Sequence, residues 1–207
     1  MIQIGLADNI PMVHYGIKNY FKGNSKTRVA GFAFNYDELT TFLLIRDIDV
    51  LILDIELTDF SIVTDLKWVV EHFPKTKILI YSNLDEQIFG SNCIKFGAKG
   101  YLKKTASLKD IKLAIKKINK GELVLSDCLK NSLLNKKNFE KILINKLSAR
   151  ESEVLVHLCA GKKNSEISDL LHINVKTTST YKTRLFKKLE VTNLVSLVAK
   201  CKSLNII

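Results

Sequence analysis

The stretch VLILDIELTD, residues 50–59, contains the feature that decides the fold class. Its first four residues are apolar, and the run ends at Asp54, with Glu56 two positions later. A short unbroken apolar run bounded by acids is typical of a central strand in a parallel sheet that is covered on both faces. Open α/β sheets bind their ligands at the carboxyl ends of such strands. The stretch therefore predicts a buried strand that holds Asp54 at a binding edge.

The same alternation of an apolar run and a helix-like segment extends over the first 120 residues. The predicted strands are Ile2–Ala7, Val29–Phe34, Val50–Leu53, Ile78–Tyr81 and Gly100–Leu102. Apolar residues recur at helical spacing after each run, most regularly behind Ser107, which is a candidate N-cap. Five such β-α units predict an α/β fold with a doubly wound, five-stranded parallel sheet.

Polar residues stand at the ends of four predicted strands. Asp8 and Asn9 follow the first strand, Asp54 the third, Ser82 the fourth, and Lys104 lies just past the fifth. Oxygen ligands suit Mg²⁺, and a lysine can offset the charge of a phosphoryl group. These residues therefore predict a magnesium and phosphoryl site at one edge of the sheet.

Composition limits the class of protein. The 207 residues are 46% hydrophobic, but the longest apolar run falls far short of the roughly 20 residues of a membrane span. The segment MIQIGLAD has no basic region before its apolar residues. We expect a soluble cytoplasmic protein without a membrane partner. Four widely spaced cysteines with no C-x-x-C pair predict reduced, mostly buried thiols.

Positive charge is concentrated toward the C-terminal end. The last 62 residues hold 11 Lys and Arg against 5 Asp and Glu, about half of the net charge of +11. An excess of this kind favours a polyanionic partner for that part of the chain.

A second domain is predicted from four helix-like segments. Ser148 with Glu151 forms a capping-box pattern before a helix that should end at Gly161. Residues 164–171, 175–189 and 193–203 give the other helices, with a tight turn at 172–174. Two short helices joined by such a turn are typical of a helix-turn-helix. We predict an α/β domain at 1–121, a linker with a short helix at 122–145, and a small all-α domain at 146–207.

The third of these helices carries the predicted contacts to double-stranded DNA. Its hydroxyl and basic side chains suit base edges and phosphates. The predicted DNA-binding residues are Lys176, Ser179, Thr180, Lys182, Thr183, Arg184, Lys187 and Lys188.

Both halves resemble known families. The series LADNIP, LILDIEL, ILIYSN and GAKGYLKK resembles the receiver domain of NarL/FixJ-type response regulators. The segment from LSARESEVL to KTRLFKKLEV resembles the LuxR/GerE-type helix-turn-helix, and STYKTRL is similar to the BvgA/FimZ-like branch. The resemblance implies a non-enzymatic transcription regulator of a two-component system, with a sensor histidine kinase as partner. It also implies a homodimer, or a heterodimer with another regulator.

The resemblance implies a role for each residue of the sheet edge. Asp54 would be the phosphoacceptor, and Asp8, Asn9, Asp54 and the carbonyl of Glu56 would form the Mg²⁺ site. Ser82 would bond the phosphoryl group, Lys104 would pair with it, and Tyr101 would turn inward on activation.

Five positions depart from the family pattern. Asn9 replaces an acid, which should weaken Mg²⁺ binding. The loop after Asp54 has Thr58 where the family has proline, and no glycine follows, so it must turn differently. In the second half Thr178 replaces an apolar residue, and Glu190 replaces the C-cap glycine.

Three alternatives stay open from the sequence. A degenerate receiver could keep the fold but not be phosphorylated, leaving a transcription factor that dimerises constitutively or with another regulator. An aspartyl-phosphate hydrolase also places an aspartate after a buried strand, but it needs D-x-D where this chain has Asp54-Ile55-Glu56. A protein-protein adaptor would show no salt-dependent affinity for duplex DNA.

Overall fold

The computed structural model describes residues 1–127, 129–130 and 147–203. Its backbone separates into two compact units, residues 1–83 with 93–126, and residues 84–92 with the described part of 127–207. Most of the predicted linker, including its tether, lies outside the described residues. The domain boundaries at 121 and 145 stay predictions.

The described part of the first unit contains a five-stranded sheet in which every pairing is parallel. The strands are β1 (Ile2–Ala7), β2 (Thr27–Ala33), β3 (Val50–Leu53), β4 (Lys77–Ser82) and β5 (Gly100–Lys103). Their order is β2-β1-β3-β4-β5, which places β3 at the centre. Its four residues are completely buried, as expected for a strand covered on both faces. The predicted doubly wound sheet is confirmed.

Helices cover both faces of this sheet. The helices of the first unit are α1 (Pro11–Phe21), α2 (Tyr36–Ile45), α3 (Lys67–His72) and α5 (Leu108–Asn119), whereas α4 (Glu86–Lys95) lies largely in residues 84–92 of the second unit. One face packs against α1 and α5 through a continuous apolar cluster. On the other face Phe42 of α2 lies so close over Gly5 and Gly31 that a Cβ at either glycine would overlap its ring. Ser107 and Asp110 form a capping box at the start of α5, as predicted from the sequence.

The loop after Asp54 turns without the proline and glycine of the family pattern. Asp59 adopts a left-handed backbone conformation with φ of 59°. The backbone nitrogen of Ser61 donates to Asp65 at 2.7 Å, and a π-helical turn, Ile62–Leu66, leads into α3. The predicted third helix therefore begins with a wider, π-helical turn. Hydrogen bonds within residues 61–65 stabilise this turn.

The second unit contains four helices within residues 147–203. They are α6 (Ala149–Cys159), α7 (Asn164–Leu170), α8 (Val175–Lys188) and α9 (Leu194–Ser203). The capping box of Ser148 and Glu151 is present, and the Asn174 side chain caps α8. Leu155, Leu185 and Leu197 are fully buried, so the predicted helices share one core. None of the helices described in either unit is long and apolar enough to cross a bilayer.

We expect Thr178→Val to stabilise the second unit by about 1 kcal/mol. The Thr178 side chain is completely buried, and its hydroxyl has no hydrogen-bond partner among the described residues. Valine has nearly the same shape and removes the cost of desolvating that hydroxyl. Thermal unfolding followed by far-UV circular dichroism measures the change. The exposed neighbour gives the control, Thr177→Val, which should leave stability nearly unchanged.

We also expect Glu190→Gly to stabilise this unit by about 1 kcal/mol. Glu190 lies two residues beyond α8 in the left-handed region, with φ of 53°, and Val191 N donates to Phe186 O at 2.9 Å to close the cap. A residue with a Cβ is strained in this conformation, whereas glycine is not. The same unfolding measurement applies. Glu190→Ala keeps the strain, so an equal gain from alanine would refute this explanation.

Candidate functional site

The carboxyl ends of four strands bring the predicted site residues of the first unit together. Asp8 follows β1, Asp54 follows β3, Ser82 ends β4, and Lys104 follows β5. β3 pairs with both β1 and β4, so Asp54 stands between the other two strand ends. The predicted edge of the sheet is therefore a cluster of charged and polar side chains.

Lys104 lies at the centre of this cluster. Its Nζ is 2.5 Å from Oδ2 of Asp54 and 2.9 Å from Oδ2 of Asp8. The side chains of both acids are 1% exposed, and that of Lys104 is 8% exposed. Two buried carboxylates are thus held together by a single ammonium group, which neutralises half of their charge.

Burial controls the acidity of this cluster. It raises the pKa of Asp54 above its usual value, although the hydrogen bonds from Lys104 and from the backbone nitrogen of Glu56 oppose this effect. For Lys104, burial would lower the pKa, but the bonds to Asp54 and Asp8 outweigh it and raise the pKa. Lys104 is therefore cationic at neutral pH. Any further positive charge at this edge of the sheet would favour the ionised form of Asp54.

The donors at this edge fit Mg²⁺ in chemical type. Asp8 and Asp54 supply carboxylate oxygens, and Oδ2 of Asp8 has only the ion pair, with no well-aligned hydrogen bond among the described residues. The amide of Asn9, itself a predicted ligand, donates to the carbonyl oxygen of Glu56 at 3.3 Å and so occupies another predicted ligand. No cluster of three His, Cys, Asp or Glu side chains suited to a metal occurs in the described ranges. A cation here would therefore depend on two carboxylates and a carbonyl.

The Glu56 side chain is a part of the site that sequence reasoning missed. Ser82 donates its hydroxyl to Oε2 of Glu56 at 3.2 Å. Burial, followed by the nearby charge of Asp54, raises the pKa of Glu56. The position of Glu56, two residues after Asp54, could have indicated that its side chain belongs to the site. The resemblance implied a role only for its backbone carbonyl. Glu56 engages the same hydroxyl that is predicted to bond a phosphoryl group.

If Asp54 is the phosphoacceptor, as predicted, Glu56→Gln should increase the rate of phosphoryl transfer to it by about fivefold. A neutral amide repels an incoming phosphoryl group less and holds the Ser82 hydroxyl more weakly, a difference of about 1 kcal/mol. The measurement is the initial rate of mass increase with acetyl phosphate and Mg²⁺. Exposed Glu122 provides the control, Glu122→Gln. An unchanged rate in Glu56→Gln would show that this contact imposes no barrier.

Tyr101 is already turned inward. Its side chain is 2% exposed, and its backbone nitrogen donates to Val124 at 2.9 Å. The structure thus places the predicted switch aromatic in the buried position. A second tyrosine was missed: the hydroxyl of Tyr81 donates to the carbonyl of Lys104 at 3.2 Å and helps to fix that strand end.

The predicted DNA-binding residues of the second unit lie along α8. The exposed ones are Lys176, Ser179, Thr180, Thr183, Arg184 and Lys187. Lys182 is half-buried, with its ammonium 5.7 Å from the centre of the Phe186 ring, and Arg184 lies 5.9 Å from that of Tyr181. Asn164, which was not predicted, donates to Ser179 at 3.0 Å and connects α7 to this surface. The helix presents a basic, hydroxyl-bearing face.

Lys188 has a structural contact that the sequence did not suggest. Its ammonium donates to Oε2 of Glu151 at 2.6 Å, and the Glu151 side chain is 3% exposed. Burial would raise the pKa of Glu151, but the bonds from Lys188 and Ser148 outweigh it and lower the pKa. Lys188 therefore ties α8 to α6, and its contact with DNA stays a prediction.

Comparison with known proteins agrees with this two-part arrangement. The family model described as the response regulator receiver domain matches residues 4–116, more than half of the chain. The model for bacterial regulatory proteins of the luxR family matches residues 145–201.

Individual relatives match over nearly the whole chain. The oxygen regulatory protein NreC of Staphylococcus haemolyticus is 29% identical over 95% of each chain. The response regulator protein VraR of Staphylococcus aureus is 27% identical, over 92% of this chain and 91% of VraR. RcsB of Salmonella enterica serovar Typhimurium, solved on the promoter P1flhDC with the phosphomimetic BeF3⁻, is 26% identical with a TM-score of 0.82, over 98% of each chain.

Proposed function

Because the chain belongs to the bacterial response regulators that join a receiver domain to a LuxR-type DNA-binding domain, we propose that phosphorylation of Asp54 switches its binding to promoter DNA. The observation that carries the proposal is the Lys104 ammonium 2.5 Å from the buried Asp54 carboxylate, at the carboxyl end of the central strand. The partners are a sensor histidine kinase, double-stranded DNA, and a second copy or another regulator. The protein acts in the cytoplasm, and its own chemistry is limited to accepting a phosphoryl group.

The geometry around Asp54 supports its role as the acceptor. Oδ1 accepts from the backbone nitrogen of Glu56 at 3.0 Å and Oδ2 accepts from Lys104, so both oxygens are oriented before a donor arrives. One of them attacks the phosphorus of the donor while the bond from phosphorus to the donor's leaving group breaks, and Lys104 then neutralises part of the added charge. Asp8, Asp54 and the Glu56 carbonyl would hold Mg²⁺, which offsets phosphoryl charge when bound. The amide at Asn9 makes this binding weaker than with a second acid.

The Ser82 hydroxyl has to leave Glu56 to reach the new phosphoryl group. That exchange links the chemistry at Asp54 to the conformation of the β4 end. A shift of this kind biases the receiver toward one of two conformers, which is how phosphorylation acts on a remote DNA-binding domain.

The DNA-binding half of the proposal is supported by the exposed basic face of α8. Relatives give further support, because RcsB has been solved on promoter DNA and as two dimers bound to two parallel DNAs. By analogy, α8 of this chain would enter the major groove.

A phosphorylation-independent regulator is the second candidate. It is favoured by Asn9 in place of an acid, and by the Glu56 carboxylate that engages Ser82. Such a protein would keep the receiver fold and dimerise without the switch.

One experiment separates the two candidates. The full chain is incubated with acetyl phosphate and Mg²⁺, and its intact mass is measured beside that of Asp54→Ala. We expect a mass increase of one phosphoryl group in the native chain only, with tighter binding to promoter DNA after phosphorylation. An unmodified native chain that still binds DNA would establish the second candidate instead.

A further inference from the structure

Two cysteines of the second unit meet at the contact between its first and last helices. Cys159 is the last residue of α6, and Cys201 lies near the end of α9. The two helices pack together, and the thiols of Cys159 and Cys201 are hydrogen-bonded to each other. Both are free thiols in this structure. Two thiols in contact across a helix–helix interface are placed where a disulfide could join the two helices.

Solvent access differs between the two thiols. Cys201 is completely buried, whereas Cys159 is partly exposed. Cys93, in the first unit, is completely buried. A small molecule that reacts with thiols would therefore reach Cys159 before the other two.

The hydrogen bond eases loss of the first proton from the pair. The Cys159 thiol donates to Cys201, which lowers the pKa of Cys201 and raises the pKa of Cys159. Cys201 therefore ionises first, and its thiolate can accept the proton of Cys159. Lys202 partly offsets the shift at Cys159, because its charge lowers the pKa of Cys159. The accessible sulfur can thus attack while its proton passes to Cys201.

We propose that Cys159 and Cys201 form a reversible intramolecular disulfide in the presence of a small-molecule disulfide such as oxidised glutathione. The Cys159 sulfur attacks one glutathione sulfur as its proton passes to the Cys201 thiolate, breaks the glutathione S–S bond and releases one glutathione thiolate, which takes up that proton. Cys201 then attacks the Cys159 sulfur and expels the second glutathione. Two protein thiols lose two electrons, and one glutathione disulfide is reduced to two thiols.

The cross-link would act on the DNA-binding unit as a whole. It closes a loop that contains α7 and α8, and it fixes α9 to α6. A closed loop restricts the unfolded chain, so oxidation should raise the unfolding temperature of this unit. The site is a redox-sensitive modification site that does not depend on Asp54.

The test maps thiols in the full chain. After incubation with oxidised glutathione, the protein is unfolded, its remaining thiols are alkylated with a maleimide, and peptides are identified by mass. We expect Cys159 and Cys201 to be linked, and the extent of their alkylation to fall at least tenfold, while Cys93 is alkylated as before. A reductant should restore both thiols.

Single variants distinguish the two steps. Cys201→Ser should stop at a glutathione adduct on Cys159, and Cys201→Ala should do the same while keeping an apolar core. Cys159→Ser should leave Cys201 unmodified, and Cys93→Ser serves as the matched control with the native result. A persistent glutathione adduct on Cys159 of the native chain, or its linkage to Cys128 or to another chain, would overturn the proposal.

Discussion

Lys104→Ala is expected to lower the free energy of unfolding of the first unit by about 3–5 kcal/mol in the absence of divalent cations. The variant leaves the carboxylates of Asp8 and Asp54 buried at 1% exposure without the ammonium that lies within 2.9 Å of both. Two unneutralised buried charges repel each other and cannot recover their hydration. Urea unfolding followed by the fluorescence of Trp68, the single tryptophan, measures the loss.

Mg²⁺ provides the internal check on that result. If the two carboxylates are the source of the instability, added Mg²⁺ should restore much of the lost stability in Lys104→Ala and much less in the native chain. Exposed Lys109 gives the matched control, because Lys109→Ala should change stability by less than about 0.5 kcal/mol. A similar loss of stability in both variants, with no effect of Mg²⁺, would mean that Lys104 does not stabilise the fold by neutralising the carboxylates of Asp8 and Asp54.

The pH dependence of Lys104→Ala follows from the raised pKa of Asp54. A carboxyl whose pKa is higher in the folded than in the unfolded state binds more protons when folded, so its contribution to stability decreases as the pH rises through that interval. Without Lys104 the pKa of Asp54 should rise further and widen the interval. The stability difference between the native chain and Lys104→Ala should therefore be smaller near pH 5 than near pH 8.

The local pattern of apolar residues was sufficient to predict the sheet. The residues of β3, Val50–Leu53, are an unbroken apolar run, and the structure buries all four and pairs them on both sides. The convergence of Asp8, Asp54 and Lys104 followed from topology, because parallel strands present their carboxyl ends at one edge. Those predictions needed only periodicity and the rules of strand order.

What the sequence could not supply were contacts between distant polar side chains. Glu56 and Ser82 bond across neighbouring strand ends, and Lys188 bonds to Glu151 across two helices. A lysine on a charged helix is predicted to be solvated, because no residue near it in the sequence indicates its partner. The π-helical turn after Ser61 was missed for a related reason, since hydrogen bonds within the loop decide it rather than apolar spacing.

The DNA-binding surface gives the second large expected effect. The double variant Lys182→Ala with Lys187→Ala should bind all duplex sequences on the order of 50-fold more weakly at about 0.1 M salt. Each lost phosphate contact removes about 0.9 from the slope of log affinity against log salt, so the slope should become shallower by about 2. Fluorescence anisotropy with a labelled promoter fragment and a scrambled duplex, over a salt series, measures both quantities.

Variants of the hydroxyl residues on the same helix should behave differently. Ser179→Ala or Thr183→Ala should reduce the preference for promoter over scrambled duplex by about 1 kcal/mol and leave the salt slope unchanged, because base contacts specify and phosphate contacts position. Exposed Lys202 on α9 gives the matched lysine control. Since α8 presents Ser179, Thr183 and Lys187 on its exposed face, equal losses on both duplexes for both kinds of variant would mean that this face does not read DNA.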